Sequence, residues 1–135
     1  MSQENVEVMR QAFAAFNAHD LERWAAFWDP DLVLIDHMGA PAEESVSGLE
    51  ALRRQVEGWL ETFPDFRAEV EEIIDAGGDN VITVTHWQGT GAGSGLPYSQ
   101  RAAELSTVRG GRIVRAELGF ADKNAALKAA GLQEG

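Results

Sequence analysis

The chain is expected to adopt an α+β fold: a cone-shaped α+β barrel in which a curved antiparallel sheet wraps amphipathic helices around an internal apolar cavity. Two observations predict it. Apolar residues recur at helical spacing through most of the first 63 positions, then the period changes to strand alternation punctuated by Gly-Gly turns. Helices come first and a long meander follows, in the order α-α-β-α-β-β-β-β-α.

Each element has its own signal. Val6, Met9, Phe13 and Phe16 fall close to helical spacing over residues 3 to 17, and Ser2 can cap that helix. Residues 17 to 20 break the pattern. Asp20 is placed to cap a short second helix carrying Leu21, Trp24, Phe27 and Trp28, which Pro30 is expected to end. Leu32 to Asp36 reads as a short strand, and Met38 to Val46 as a loop. Ser47 and Glu50 have the spacing of a capping box for a third helix, with Leu49, Leu52, Val56, Trp59, Leu60 and Phe63 as its apolar stripe. Residues 66–76, 80–88, 98–108 and 112–120 read as strands. Ala76 to Asp79 and Arg109 to Arg112 supply hairpin turns. A last helix over 122–130 is capped by Asp122 and stopped by Gly131.

At 135 residues the chain fits one domain, 1–135, with enough length for a real core. The net charge of −11 argues against nucleic acid and against an anionic membrane surface, both of which need clustered Lys and Arg. It weakly favours neutral or cationic small ligands. With no cysteine, disulfides and thiolate chemistry are excluded. The acidic, helical N-terminus does not read as a signal peptide, and no apolar run approaches membrane-spanning length, so a cytoplasmic location is expected.

Candidate chemistry centres on two carboxylates. Asp36 ends an apolar strand just before a glycine-containing loop. A carboxylate at the rim of an apolar cavity has its pKa raised by desolvation, which makes it a usable proton shuttle; an Asp in such a place can equally be a simple turn-former. Glu104 lies in mid-strand among small residues, and alternation alone does not settle which face it takes. Facing inward, it would be a second buried carboxyl, kept protonated near neutral pH beside the first.

The other signals are weaker. His37 adjoins Asp36, and adjacent strand residues point to opposite faces. His86 and Trp87 stand in the same relation, so one of the two should face inward. His19 is expected to be exposed or helix-capping. No His-x-His or His-Glu-x-x-His pattern occurs, so no metal site is expected. The glycine-rich run from Gly89 to Pro97 links two strands and has no following helix to receive a phosphate, so it reads as a hairpin loop at the cavity mouth. Ser94, Ser99 and Ser106 lack a nucleophile-elbow context. The aromatic load is expected to be mostly core, with a subset lining a ligand pocket: Phe13, Phe16, Trp24, Phe27, Trp59, Phe63 and Trp87, joined by Met38. His37, His86 and Tyr98 are possible auxiliaries.

Four segments carry a family resemblance: Phe13 to Leu21 as a helix-to-helix turn, Asp29 to Asp36 as a first strand, Ser47 to Leu52 as the start of a third helix, and Gly111 to Arg115 as a final hairpin. Together they span almost the whole chain. They resemble the nuclear transport factor 2-like superfamily, specifically its SnoaL-like polyketide cyclase and ketosteroid isomerase-like branch. The resemblance implies the fold strongly and the reaction weakly, because isomerases, cyclases, hydrolases, dehydratases and non-catalytic modules share it. It implies that Asp36 takes the place of the isomerase general base, and Glu104 that of the isomerase's protonated acid, itself a standard example of a carboxyl kept neutral by an apolar site. The isomerase tyrosine on the first helix falls near Ala12. The cyclases' His and Asp on the last strand fall at Ala116 and Leu118.

The leading expectation is a cofactor-independent acid–base enzyme of isomerase, cyclase or dehydratase type, acting on a small hydrophobic carbonyl or polyketide- or steroid-like compound. Asp36 would be the base and Glu104 the hydrogen-bond donor. The alternatives are a non-catalytic small-molecule binding protein of the same fold and an oligomerisation module. No cofactor and no metal are expected. The expected partners are a hydrophobic small molecule and a second copy in a homodimer, with no nucleic acid and no membrane.

Overall fold

The computed structural model describes residues 2–37 and 44–131. Ten elements follow in order: α1 (Ser2–Asn17), α2 (Leu21–Ala25), β1 (Trp28–Asp36), β2 (Glu44–Ser47), α3 (Leu49–Thr62), β3 (Arg67–Asp75), β4 (Asn80–Thr90), β5 (Pro97–Arg109), β6 (Arg112–Phe120) and α4 (Lys123–Ala129). The strands form one curved six-stranded sheet in the order β2-β1-β6-β5-β4-β3. The sheet is open rather than closed into a barrel, with β2 and β3 at its edges. All neighbours are antiparallel except β1 and β6, which are parallel. No described helix is long and apolar enough to cross a membrane.

The helical periodicity translates into packing. Met9, Ala12 and Phe16 of α1, Trp24 of α2, and Leu52 and Val56 of α3 are buried in one cluster against Leu34, Trp87, Ala116 and Leu118 of the sheet. A smaller cluster lies on the opposite face, where Ala126 and Leu127 of α4 cover Ile82 and Ala103. The sheet therefore buries both faces in its middle, which explains the long runs of apolar and small residues in β4 and β5.

Local signals hold at the turns and two of the caps. Asp20 accepts the Arg23 N–H at 3.1 Å, and Asp122 accepts the Ala125 N–H at 2.9 Å. Gly77, Gly78, Gly110 and Gly111 all take positive φ in the two hairpin turns, where a side chain would be strained. Asn17 ends α1 with its amide spanning the backbone of Ala68, accepting from its N–H and donating to its C=O, both at 2.8 Å.

Three expectations are corrected. The second helix ends at Ala25, before Phe27, Trp28 and Pro30. Trp28 pairs with Ile113, and the Phe27 carbonyl accepts the Ile113 N–H at 2.8 Å, so sheet pairing captures residues that a five-residue helix cannot hold. Pro30 sits where the β1–β6 register shifts, so its missing N–H breaks no ladder. The expected 38–46 loop ends in strand β2: Asp36 pairs with Glu44 and Val33 with Ser47, because β1 otherwise leaves an unpaired edge. Residues 38–43 lie outside the described part. Ser47 belongs to that strand, so it does not form the capping box; Gly48, at φ +92°, starts α3 with no side-chain cap.

Candidate functional site

Glu104 takes the inward face. It lies opposite Thr83 in β4, and Thr85 of the same strand reaches it from one pleat along. Only 1% of Glu104 is exposed. The Thr85 hydroxyl, 3.3 Å from Oε1 and 3.4 Å from the Ala102 carbonyl, can donate to either. Oε2 has no hydrogen-bond partner. Burial dominates this environment and pushes the Glu104 pKa up to about 8, against smaller lowering contributions from the Thr85 hydroxyl and the nearby Trp87 indole. The indole acts through proximity rather than a formed bond, since Trp87 Nε1 also lacks a hydrogen-bond partner. No Lys, Arg or His borders the space that Glu104 faces, so no positive charge there stabilises an ionised carboxylate. Glu104 is thus a neutral acid at pH 7.

That space is an inner chamber of about 50 Å³. Its walls come from α1, α2, α3 and the sheet and are almost wholly apolar, Phe13, Phe16 and Trp24 among them. Ala12, Ala116 and Leu118 border it as well and add only apolar wall. Ser106 and the indoles of Trp24, Trp28, Trp59 and Trp87 also border it, and among these the Trp28 and Trp87 nitrogens are buried without a hydrogen-bond partner.

Asp36 borders a different space. An outer chamber of about 260 Å³ is lined by Asp36, Phe63, Phe66 and Tyr98, with Trp59, Trp87 and Leu118. The last three border both chambers and form the partition between them. Tyr98 has its phenol pKa raised by burial first and by the negative charge of Asp36 second, which places that charge near the ring hydroxyl. The phenol donates to Gln100 Oε1 at 2.9 Å. Gly89 makes the packing of this chamber possible: a Cβ there would lie 2.9 Å from Phe63 Cβ and 3.2 Å from Phe66 Cδ1. The glycine-rich 91–96 connection leaves the sheet at this end, since Gly89 pairs with Tyr98 and Thr90 with Pro97.

The other singled-out residues lie elsewhere. His37 turns away from Asp36's chamber, with its ring 5.3 Å from that of Phe120 and Nε2 4.0 Å from Glu117 Oε2. His86 sits outside both chambers and contacts Ser99 Oγ at 2.5 Å. Its ligating atom and those of Glu69 and Glu71 lie within 4.8 Å of one another. The Arg101 guanidinium already bonds both Glu71 oxygens at 3.2 Å and supplies the positive charge this cluster attracts. His19, exposed as expected, meets the Phe66 carbonyl at 2.8 Å. Phe27 borders neither chamber but an open groove beside α1, because α2 ends before it. Met38 lies outside the described residues. Sequence reading missed Thr85 and Trp28 as site residues. Thr85 carries no signal before the register is known, and Trp28 looks like a helical core residue until β1 is seen to begin there.

Comparison with known proteins fits this architecture. Residues 9–116 match the family model of the SnoaL-like domain. No curated protein matches. Bal32a, from a soil-derived mobile gene cassette, superposes with a TM-score of 0.78 at 19% identity, covering 90% of this chain and 92% of that one. A protein of ketosteroid isomerase-like fold from Catenulispora acidiphila, crystallised with trimethylamine, gives 0.73 at 19% identity and covers 93% of each chain. TerC, co-crystallised with polyporic acid, gives 0.74 at 20% identity, covering 95% of this chain and 98% of its own. At these identities the likeness concerns the fold alone. With four-fifths of its length matched by that model, the chain belongs to the SnoaL-like domain family.

Proposed function

We propose that the protein is a cofactor-independent acid–base enzyme acting on a small hydrophobic carbonyl compound. The observation that carries this reading is Glu104: a fully buried, neutral carboxyl with one oxygen unpartnered beside an apolar chamber. Such a group is expensive to maintain, and its chemical use is to donate a hydrogen bond where charge develops. The body of the substrate would lie in the outer chamber against Phe63, Phe66 and Tyr98, with its carbonyl directed past Trp59, Trp87 and Leu118 toward Glu104. The Asp36 carboxylate would take a proton from the carbon alpha to that carbonyl. The C–H electron pair would move to the carbonyl oxygen, and Glu104 would donate to the forming enolate. Thr85 donating to Oε1 leaves the Glu104 proton on Oε2, the oxygen free to meet the ligand. Return of the proton to the same or another carbon completes exchange or isomerisation.

The test is deuterium incorporation from solvent into enolisable aryl ketones such as 2-tetralone, followed by NMR. Wild-type protein should accelerate it, and Asp36→Asn should lower the rate at least about a hundredfold, the usual loss for a general base. Unchanged exchange in that variant would sink the reading. A second reading is a small-molecule binding protein without chemistry, favoured by the apolar Ala12, Ala116 and Leu118 in the inner chamber. It is distinguished by ligand binding that survives Asp36→Asn and Glu104→Gln together, with no exchange above buffer. A homodimer through the sheet face that α4 leaves open belongs to both readings, and a monomer in sedimentation at micromolar concentration would refute it.

A further inference from the structure

The described residues contain four buried side-chain polar atoms without a hydrogen-bond partner: Trp28 Nε1, Trp87 Nε1, Glu104 Oε2 and Thr83 Oγ1. An orphaned buried donor costs about 1–3 kcal/mol, and native proteins keep few of them. These are not scattered. Trp28, Trp87 and Glu104 all border the inner chamber, and all three are at least nine-tenths buried. Thr83 lies directly across the strand pair from Glu104. Two indoles can only donate, and a neutral carboxyl can donate from Oε2. The lining of the chamber therefore carries two indole donors that no protein acceptor meets in hydrogen-bond geometry.

We propose that the inner chamber recognises a ligand carrying two neutral oxygen acceptors at its buried end, one received jointly by Trp87 Nε1–H and Glu104, the other by Trp28 Nε1–H. This rests on the acid–base reading and narrows its substrate from any carbonyl compound to a dioxygenated one, such as a 1,3-dicarbonyl. A single ketone would leave one indole without an acceptor. A carboxylate offers two acceptors too, but no cation borders the chamber to balance its charge, for the same reason that Glu104 itself stays neutral there. The donor on Trp87 also gives the forming enolate a second hydrogen bond, in place of the phenol absent at Ala12.

The test uses the indole N–H signals of the four tryptophans in ¹⁵N-labelled Asp36→Asn protein, so that binding is read without turnover. Trp28→Phe and Trp87→Phe assign the two signals. The probes at pH 6 are acetylacetone, 2-pentanone and acetate. Acetylacetone should move both indole signals and bind about tenfold more tightly than 2-pentanone, the worth of one added neutral hydrogen bond. Trp28→Phe should erase that preference, whereas Trp87→Phe should weaken both ketones. Equal binding of acetylacetone and 2-pentanone with an unmoved Trp28 signal overturns the proposal. So does acetate binding as well as acetylacetone, or no probe moving either indole, which would leave water as the chamber's occupant. The affinity comparison is made in Asp36→Asn protein with every indole intact, so if a tryptophan variant fails to fold, equal binding of acetylacetone and 2-pentanone still overturns the proposal. Failure here with Asp36-dependent exchange intact would remove the dioxygenated substrate and keep the enzyme.

Discussion

The two chambers hold the same functional group in opposite settings. Glu104 is sealed among apolar walls in about 50 Å³, while Asp36 is half-buried at the edge of about 260 Å³ that Tyr98 also lines. The inner carboxyl keeps its proton because burial penalises its charge. The difference teaches that depth in one fold separates two carboxyls into unlike environments, and in the proposed reaction it is this depth that sets Glu104 apart as the acid. In the proposed reaction the substrate's polar end would reach across the partition of Trp59, Trp87 and Leu118.

Removing the inner acid tests the comparison most severely. Glu104→Gln should lower the exchange rate by about 10²–10³-fold, the cost of losing a principal enolate donor. The wild-type rate should fall as pH rises through about 8, where Glu104 ionises, and the Gln variant should lose that limb. Stability follows the same group. The folded pKa, about 8, lies above the ordinary 4.5, so between these values the folded state holds a proton that the unfolded state has released. Unfolding free energy therefore falls as pH rises from about 4.5 to about 8 and levels off above it, with a total contribution of roughly 5 kcal/mol at most. Urea unfolding at pH 5 and pH 9 should show this decline in wild type and a much flatter profile in Glu104→Gln. An equal slope in both would mean that Glu104 is ionised at neutral pH.

Breaking the partition should blur the two settings. Leu118→Ala should cost about 2–4 kcal/mol in urea unfolding as a large-to-small core change. It should also lower the apparent pKa of Glu104, read from the pH–rate profile, by admitting water from the outer chamber. An unchanged profile would place the boundary at the indoles alone. Crowding the outer chamber is a milder change. Gly89→Ala should displace Phe63 and Phe66, costing about 1–3 kcal/mol, and should weaken binding of 2-tetralone while leaving the Glu104 profile in place. The smallest effect should come from Thr85→Val. It removes a hydrogen bond that lowers the Glu104 pKa, so the alkaline limb should move to higher pH with little loss of stability.

Much of the frame was legible in the residues. The stripe on α3, the Asp20 and Asp122 caps and the two Gly-Gly hairpins are decided within a few positions of chain, where propensity and φ preference act. Strand β2 was not, because Glu44 to Ser47 has little strand character of its own and is recruited by the free edge of β1. For the same reason Ser47 served the sheet rather than the helix cap, and Trp28 to Pro30 joined β1 instead of prolonging α2.

The sequence by itself determined that carboxyls and aromatics would be gathered by one curved sheet and its helices, since periodicity and turn chemistry are local. Only the tertiary structure decided that Glu104 faces inward, that Asp36 borders a separate space, and that Trp28 and Trp87 leave their N–H groups unmet. Those outcomes depend on strand register, on the irregularities in the β1–β6 and β5–β6 pairings, and on which rings meet across the core. Facing and burial are properties of the assembled layers, so no single segment of chain encodes them.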